Sequence, residues 1–140
     1  MHPRVGDLIA IPSAGRFGIA KVLFCSEYFA QVVLLGLFRR SFDAVESPDI
    51  AVLNWPMDLY YTGSSPIAAG LWPVVGYQAL LAGESSLSRR IVGGDVWDED
   101  RHLGPASQHD LATLPKMLTH GTRLIEKAVQ RIGDGGAEII

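Results

Sequence analysis

The first forty residues form three long apolar runs separated by short polar segments, a pattern that predicts three β-strands. The runs cover residues 5–11, 17–25 and 28–38, and they are rich in Val, Ile, Leu, Phe and Tyr, which suit a pleated, buried surface. Residues 12–15 include a proline and a glycine and predict the first turn. The third run is apolar at odd and even positions alike, so we expect a central strand or part of a closed barrel.

The middle of the chain predicts a loop followed by two more strands. Residues 41–58 carry four acidic residues and two prolines but no positive charge, which is typical of a loop with irregular strand. Strands are predicted at residues 71–80 and 90–97, and the pair Gly93 and Gly94 marks a bulge or a tight turn. Several short strands at this spacing favour a small, strongly bent sheet or an SH3-like partial barrel.

The C-terminal part changes period and predicts one amphipathic α-helix over about residues 114–132. Apolar residues recur there at intervals of three and four, and charged residues fall mostly between them. Thr113 is the expected N-cap, Pro115 is tolerated in the first turn, and Gly133 stands at the expected C-cap. We expect the apolar stripe to pack on the sheet, and an interface between two copies is the alternative.

Length and composition fit one domain over residues 1–140, mainly β (α+β), with a β core over about residues 5–100. Of the 140 residues, 48% are hydrophobic and 19% are charged, which allows a sizeable core. Cys25 is the single cysteine, so an intramolecular disulfide is excluded and a reducing, cytoplasmic setting is expected.

Two apolar segments raise the question of membrane insertion or export. Residues 59–83 contain no charged residue, but prolines and glycines interrupt them, so we predict a loop and a strand rather than a membrane span. The apolar run at residues 8–11 is too short for a signal peptide. We therefore expect neither a membrane segment nor an export signal.

Charge is distributed unevenly along the chain. The formal net charge is −3, and residues 41–110 hold ten of the fifteen acidic residues but only three of the twelve basic ones. Such a chain is poorly suited to coating nucleic acid, whereas an acidic surface steers a basic partner. We predict a partner-binding surface formed by Asp43, Glu46, Asp95, Asp98, Glu99 and Asp100, with Trp97 or Trp55 as an aromatic anchor. The alternative is that these acidic residues only keep loops soluble.

The chain lacks the motifs of common catalytic and nucleotide-binding sites. There is no glycine-flanked nucleophilic serine, no P-loop and no dinucleotide fingerprint. The four histidines are not at zinc-ligand spacing, although His102 lies near Asp98 and Asp100 in the sequence. Cys25 has no adjacent His, Lys or Arg that would lower its pKa. We therefore expect no catalysis, no metal and no cofactor.

Two parts of the sequence resemble the Immunity protein 26 family. Residues 5–12 (VGDLIAIP) and 15–23 (GRFGIAKVL) resemble the opening of that family: a Gly-Asp pair, an apolar strand that ends in proline, a glycine-containing turn and a second strand. Residues 72–76 (WPVVG) resemble its second block, and residues 90–96 (RIVGGDV) a third. The matching positions with a structural role are Gly6, Asp7, Pro12, Gly15, Gly18, Trp72 and Gly76.

The resemblance implies a mostly β protein, without catalysis of its own, that neutralises a co-encoded bacterial polymorphic toxin by binding it. Gly6 and Asp7 suit the tight turn before the first strand, and Gly18 with Ala20 permits close approach of a neighbouring strand or an aromatic side chain. The expected partner is the cognate toxin, with no nucleic acid and no membrane, and the protein itself is a monomer or a homodimer.

Two other functions remain open from the sequence. Plasmid-maintenance ribonuclease toxins also begin with a Gly-Asp strand and fold into a small SH3-like barrel. This chain lacks the Arg-Pro element that follows the second strand in that family, and it has no evident acid–base pair. A small-ligand-binding β domain is the third possibility, for which no specific motif is present.

Overall fold

The computed structural model describes residues 2–42 and 57–133, which form nine strands and three α-helices. The strands are β1 (Asp7–Ser13), β2 (Arg16–Cys25), β3 (Val32–Phe42), β4 (Met57–Gly63), β5 (Val74–Tyr77), β6 (Arg90–Val92), β7 (Asp95–Asp98), β8 (Arg101–Pro105) and β9 (Thr119–His120). The helices are α1 (Ser65–Ala68), α2 (Gln108–Thr113) and α3 (Thr122–Gly133), and a 3-10 helix covers Glu84–Ser88.

The strands form a six-stranded sheet in the order β5-β1-β2-β3-β4-β9 and a three-stranded sheet in the order β6-β7-β8. Neighbouring strands are antiparallel except β4 and β9, which pair in parallel over two residues. The described residues contain no closed barrel. The predicted class, mainly β (α+β) with a C-terminal helix packed on a sheet, is confirmed.

Positive backbone angles occur at three turns that the sequence marked. Ala14 and Gly15 both have positive φ, which matches the twist of the β1–β2 hairpin that they close. Gly93 and Gly94 also have positive φ, and they close the turn between β6 and β7. The strand predicted at residues 90–97 is therefore two short strands joined by a tight turn. Gly6 has a φ of 97° and opens the turn into β1.

The turn into β1 is held by the Asp7 carboxylate. Its Oδ2 accepts a hydrogen bond from the Arg4 backbone N–H at 2.7 Å, and the Asp7 N–H donates to the Arg4 carbonyl at 3.0 Å. A Cβ at Gly6 would lie 2.6 Å from a ring carbon of Tyr77 on β5, so the turn needs glycine for space as well as for φ. The predicted role of Gly6 and Asp7 is confirmed, and the motif residues Pro12 and Gly76 lie within β1 and β5.

Helix α3 packs across the six-stranded sheet and closes its main core. Ile125, Ala128, Val129 and Ile132 on one helix face are buried together with Trp72 and the apolar side chains of β1, β2 and β3. A Cβ at Gly18 would lie 2.7 Å from Val129 Cγ2. Gly18 therefore permits the close approach predicted for it, but the neighbour is helix α3 rather than a strand or an aromatic side chain.

The predicted start of the C-terminal helix was wrong by eight residues. Thr113 ends α2 instead of capping a longer helix, and α3 begins only at Thr122. The residues between them make sheet-like hydrogen bonds: Ile91 N–H donates to the Pro115 carbonyl at 2.8 Å, and Met117 N–H donates to the Ile91 carbonyl at 2.9 Å. Proline favours an extended residue before it, and this backbone pairing with β6 then replaces the first turns of the predicted helix.

Strand boundaries also differ from the prediction. β3 begins at Val32 rather than at residue 28, because residues 26–31 form a turn that ends with Gln31 at a φ of 64°. β4, at Met57–Gly63, was expected to be partly loop, and β8 was not predicted. Within the described ranges, no helix is long and apolar enough to cross a membrane.

A lysine is fully buried beneath the sheet and its ammonium group is satisfied. Lys21 Nζ donates hydrogen bonds to Glu84 Oε1 at 2.7 Å, Gln78 Oε1 at 2.8 Å and the Ala79 carbonyl at 3.0 Å. Glu84 Oε1 also accepts from the Leu81 N–H at 2.7 Å. An ammonium group has three protons, so these three acceptors satisfy it and tie β2 to the segment before the 3-10 helix.

Candidate functional site

An open groove lies between the β2–β3 turn and the three-stranded sheet. It has a volume of about 570 Å³ and is lined by Tyr28, Phe29, Val92, Asp95, Trp97 and His102. We call these six residues the aromatic groove. Tyr28 keeps 67% of its surface exposed, which is unusual for a tyrosine whose ring packs on two other rings. Aromatic and ionisable side chains thus line the same open groove.

The four rings of the groove form one continuous cluster. Tyr28 and Trp97 have ring centroids 4.9 Å apart, Phe29 and Trp97 5.4 Å, and Trp97 and His102 5.2 Å. Such offset and tilted arrangements are the favourable geometries for aromatic pairs. The cluster therefore presents a preformed aromatic surface and not a set of independent side chains.

A β-bulge places His102 beside Trp97. The register of β7 and β8 shifts between Val96 and Trp97, so Trp97 pairs with His102 instead of with Leu103. Asp95 stands two residues before Trp97 on the same face of β7, and its Oδ2 lies 2.6 Å from His102 Nε2. The bulge thus assembles an Asp–His pair at the groove, as bulges near functional sites often do.

The opposite wall of the groove is held in place by Asp100. Its Oδ1 accepts a hydrogen bond from Ser26 Oγ at 2.6 Å, and its Oδ2 accepts from the backbone N–H groups of Glu27 at 2.7 Å and Tyr28 at 3.2 Å. Ser26 Oγ in turn accepts from the Phe29 N–H at 2.8 Å. Asp100 therefore fixes the turn that carries Tyr28 and Phe29, and it was predicted only as a binding residue.

The environment of Asp100 lowers its pKa. Partial burial acts to raise the pKa, but the hydrogen bonds from Ser26, Glu27 and Tyr28 and the positive charge of Arg90 outweigh it. The folded state therefore binds its proton less tightly than the unfolded chain. The resulting stability is present above the unfolded pKa of about 4 and is lost as pH falls through the lower folded pKa.

We expect Asp100→Asn to destabilise the protein by about 1–3 kcal/mol at neutral pH, because it removes charge-assisted hydrogen bonds from three donors. The deficit should shrink as pH falls below about 4, because the unfolded wild-type chain then takes up a proton at Asp100 and the folded carboxyl follows at lower pH. Urea unfolding followed by circular dichroism, at neutral pH and below about pH 4, measures the difference in the free energy of unfolding between the variant and the wild type. Asp98→Asn is the matched control, since Asp98 pairs at 3.1 Å with an Arg101 side chain that is 70% exposed. Equal effects of the two substitutions would contradict the anchoring role.

A buried arginine supports the groove from beneath. Arg90 is fully buried, and its guanidinium carbon lies 5.5 Å from the ring centroid of Phe24, 5.7 Å from that of Phe29 and 5.4 Å from that of Tyr61. Nη1 donates to the carbonyls of Ser88 and Glu99, while Nε and Nη2 have no hydrogen-bond partner among the described residues. The ring faces supply cation–π attraction in place of those missing hydrogen bonds.

The structure brings together part of the predicted acidic surface. Asp95 and Trp97 lie in the groove, and Asp98 and Glu99 lie at the adjoining β7–β8 turn, where Glu99 is exposed. The predicted residues Asp43, Glu46 and Trp55 lie outside the described residues. Trp72 is buried at 1% exposure, so it is a core residue as predicted.

Sequence reasoning missed four of the six groove residues, namely Tyr28, Phe29, Val92 and His102. Tyr28 and Phe29 were assigned to the start of a strand, and no local signal marks the turn that carries them except the polar neighbours Ser26 and Glu27. His102 was considered with Asp98 and Asp100 for a metal, but its partner is Asp95. In residues 2–42 and 57–133, no group of three or more His, Cys, Asp or Glu side chains is arranged to hold a metal ion.

Nucleophilic chemistry finds little support in the described part of the chain. The only hydrogen bond there of the His102 ring is with Asp95, so this histidine is not hydrogen-bonded to a hydroxyl or thiol group of the described residues. Burial, followed by the nearby charge of Asp7, raises the pKa of Cys25, which keeps it a thiol at neutral pH. Cys25 is therefore a weak nucleophile at neutral pH.

Comparison of the chain with protein-family models, with curated proteins and with solved structures finds no match.

Proposed function

We propose that this protein is a cytoplasmic, non-enzymatic immunity protein that binds and neutralises a basic cognate toxin through the aromatic groove and the acidic β7–β8 turn. The observation that carries the proposal is the cluster of Tyr28, Phe29, Trp97 and His102, in which Tyr28 and His102 are exposed and Phe29 and Trp97 are half-buried, beside Asp95 and the β7–β8 turn. The resemblance of residues 5–23 and 72–76 to the Immunity protein 26 family supports the same function.

Aromatic side chains on an open surface are typical of protein-binding hot spots. Tyr and Trp supply large contact area with few rotatable bonds, and truncating such anchors commonly weakens binding by 2 kcal/mol or more. Here the turn anchored by Asp100 and the buried Arg90 hold the rings before any partner arrives. Preorganisation of this kind reduces the entropy lost on binding.

The negative charge of the second sheet supports the proposal that the partner is basic. The second sheet and its turns, residues 90–105, carry four carboxylates and two guanidinium groups, and one of those guanidinium groups is the buried Arg90. An acidic surface beside an aromatic anchor accelerates encounter with a positively charged protein. A toxin that acts on nucleic acid would carry the required basic surface.

We expect the variant Asp98→Asn/Glu99→Gln to associate with the toxin at least about threefold more slowly at low salt, because it removes two steering charges. The toxin to test is the C-terminal domain of the large secreted protein that this proposal places in the neighbouring gene. Stopped-flow or biolayer interferometry measures the rate, and the difference should vanish at high salt.

The matched control is Leu124→Lys/Gln130→Lys, which changes the net charge by the same amount at exposed positions on α3. It should slow association less than the turn variant at the same salt concentration. Equal rates for both variants would remove this surface from consideration, and failure of the neighbouring gene product to bind the wild-type protein would contradict immunity.

The Asp95–His102 pair favours one alternative, the plasmid-maintenance type of ribonuclease. A histidine oriented by a carboxylate beside stacked rings is an arrangement that can act as a general base on a bound nucleotide. The acidic residues around the pair oppose binding of RNA. Metal-independent cleavage of single-stranded RNA by the purified protein, abolished by Asp95→Asn, would establish this alternative in place of immunity.

A further inference from the structure

The aromatic groove combines three features that recognise an organic cation. The rings of Tyr28 and Trp97 face the open groove, and their π faces attract positive charge. Asp95 lines the same groove, and its Oδ1 has no hydrogen-bond partner among the described residues, since His102 engages Oδ2. The groove is open to solvent, so a long side chain can enter it from a protein surface.

We propose that the aromatic groove is a subsite for an arginine side chain of a protein partner, with the guanidinium group stacked on Tyr28 and Trp97 and hydrogen-bonded to Asp95. This inference rests on the proposed function, because it names the group that the basic partner inserts. Arginine fits better than lysine, since its planar guanidinium stacks on rings while one of its N–H groups donates to the free Oδ1 of Asp95.

The charges around the groove decide between a cation and an anion. Arg90 and Arg101 act against a cation, but Arg90 lies on the inner side of Phe29 and Arg101 is paired with Asp98. The carboxylates of Asp95, Asp98, Glu99 and Asp100 outnumber these two guanidinium groups. The local charge is therefore complementary to arginine and unfavourable for a phosphate or a nucleic acid.

The internal packing of Arg90 is a model for the proposed contact. In the same molecule, a guanidinium group already lies 5.4–5.7 Å from three ring centroids, one of them the groove residue Phe29. The distances are those of favourable cation–π pairs. The groove offers the same kind of surface, rings with a nearby acceptor, but on the solvent side.

The test is a titration of the full chain with a short triarginine peptide at low salt, followed by NMR of the Trp97 indole N–H. We expect saturable shifts at Trp97 and at the backbone of Tyr28. A peptide with citrulline at the same three positions, which has the same shape without charge, should bind at least about tenfold more weakly. A trilysine peptide should fall between the two.

Two variants locate the site. Tyr28→Ala and Asp95→Asn should each weaken binding of the triarginine peptide by about threefold or more. Tyr77→Ala is the matched control, because Tyr77 is also an exposed tyrosine but lies on β5 of the other sheet, and it should leave the affinity unchanged. Tyr28 is mostly exposed on a turn, so its truncation tests binding rather than folding.

Three outcomes would overturn the proposal: no shift at Trp97, equal binding of the citrulline peptide, or equal loss in Tyr77→Ala. A single-stranded oligouridylate that shifts Trp97 when the peptide does not would overturn it in favour of RNA. The peptide titration needs no toxin, so its failure leaves the association experiment intact. Conversely, peptide binding at Trp97 without any toxin binding would retain the subsite and reject immunity.

Discussion

Replacing Lys21 by methionine is expected to destabilise the protein by about 3–5 kcal/mol, because the Glu84 carboxylate then stays buried without its cation. Lys21 is fully buried and its Nζ lies 2.7 Å from Glu84 Oε1. Methionine fills a similar volume, so the loss reports charge and hydrogen bonding more than packing. Urea unfolding followed by circular dichroism gives the free energy of unfolding for both proteins.

The double variant Lys21→Met/Glu84→Gln should recover at least half of that loss. Glutamine removes the unpaired charge while its carbonyl oxygen still accepts from the Leu81 N–H. Lys127→Met, at an exposed position on α3, is the control and should change stability by less than about 0.5 kcal/mol. No recovery in the double variant would show that the loss has another origin than the buried charge.

Replacing Trp72 by alanine is expected to cost about 3–5 kcal/mol, because it leaves a cavity between helix α3 and the six-stranded sheet. Trp72 is 1% exposed and packs with Ile9, Ile11 and Ile67 in the main core. Its indole N–H also donates to Glu126 Oε2 on α3 at 3.4 Å. The substitution therefore removes apolar burial and a contact that fastens the helix.

The neighbouring residue gives a sharp control for this prediction. Leu71 is apolar and of substantial size, but 67% of its surface is exposed, so Leu71→Ala should change stability by less than about 0.5 kcal/mol. Urea unfolding of the wild type and the two variants gives the loss in the free energy of unfolding at each position. Comparable losses at the two positions would mean that Trp72 does not carry the packing assigned to it.

Local patterns predicted much of the six-stranded sheet. β1 and β2 lie within two residues of the predicted runs, because dense β-branched and aromatic residues between turn residues specify both strand and boundary. The apolar positions at both faces of β3 correctly indicated a central strand, since one face meets α3 and the other forms separate clusters. The motif glycines matter for their backbone angles and for their lack of a side chain, and both are properties of the residue type, so a sequence can indicate them.

The candidate site was predicted only in part. Asp95, Trp97, Asp98 and Glu99 were chosen for their charge and aromaticity; the first two line the groove, and the other two lie at the adjoining β7–β8 turn. Tyr28, Phe29 and His102 were missed, because their positions depend on a turn anchored by Asp100 and on a bulge in β7. Asp100 itself had the sequence signature of a surface carboxylate, although its hydrogen bonds are made to a turn more than seventy residues earlier.

The sequence by itself determined the fold class, the central hairpins and the amphipathic character of the last helix, because these follow from residue spacing within a few turns of chain. Only the tertiary structure decided where α3 begins, which charges are buried and which aromatic residues are exposed. The physical reason is that Lys21 and Asp100 make hydrogen bonds, and Arg90 makes cation–π contacts, with residues far away in the chain, and such long-range contacts leave no periodic trace in the sequence.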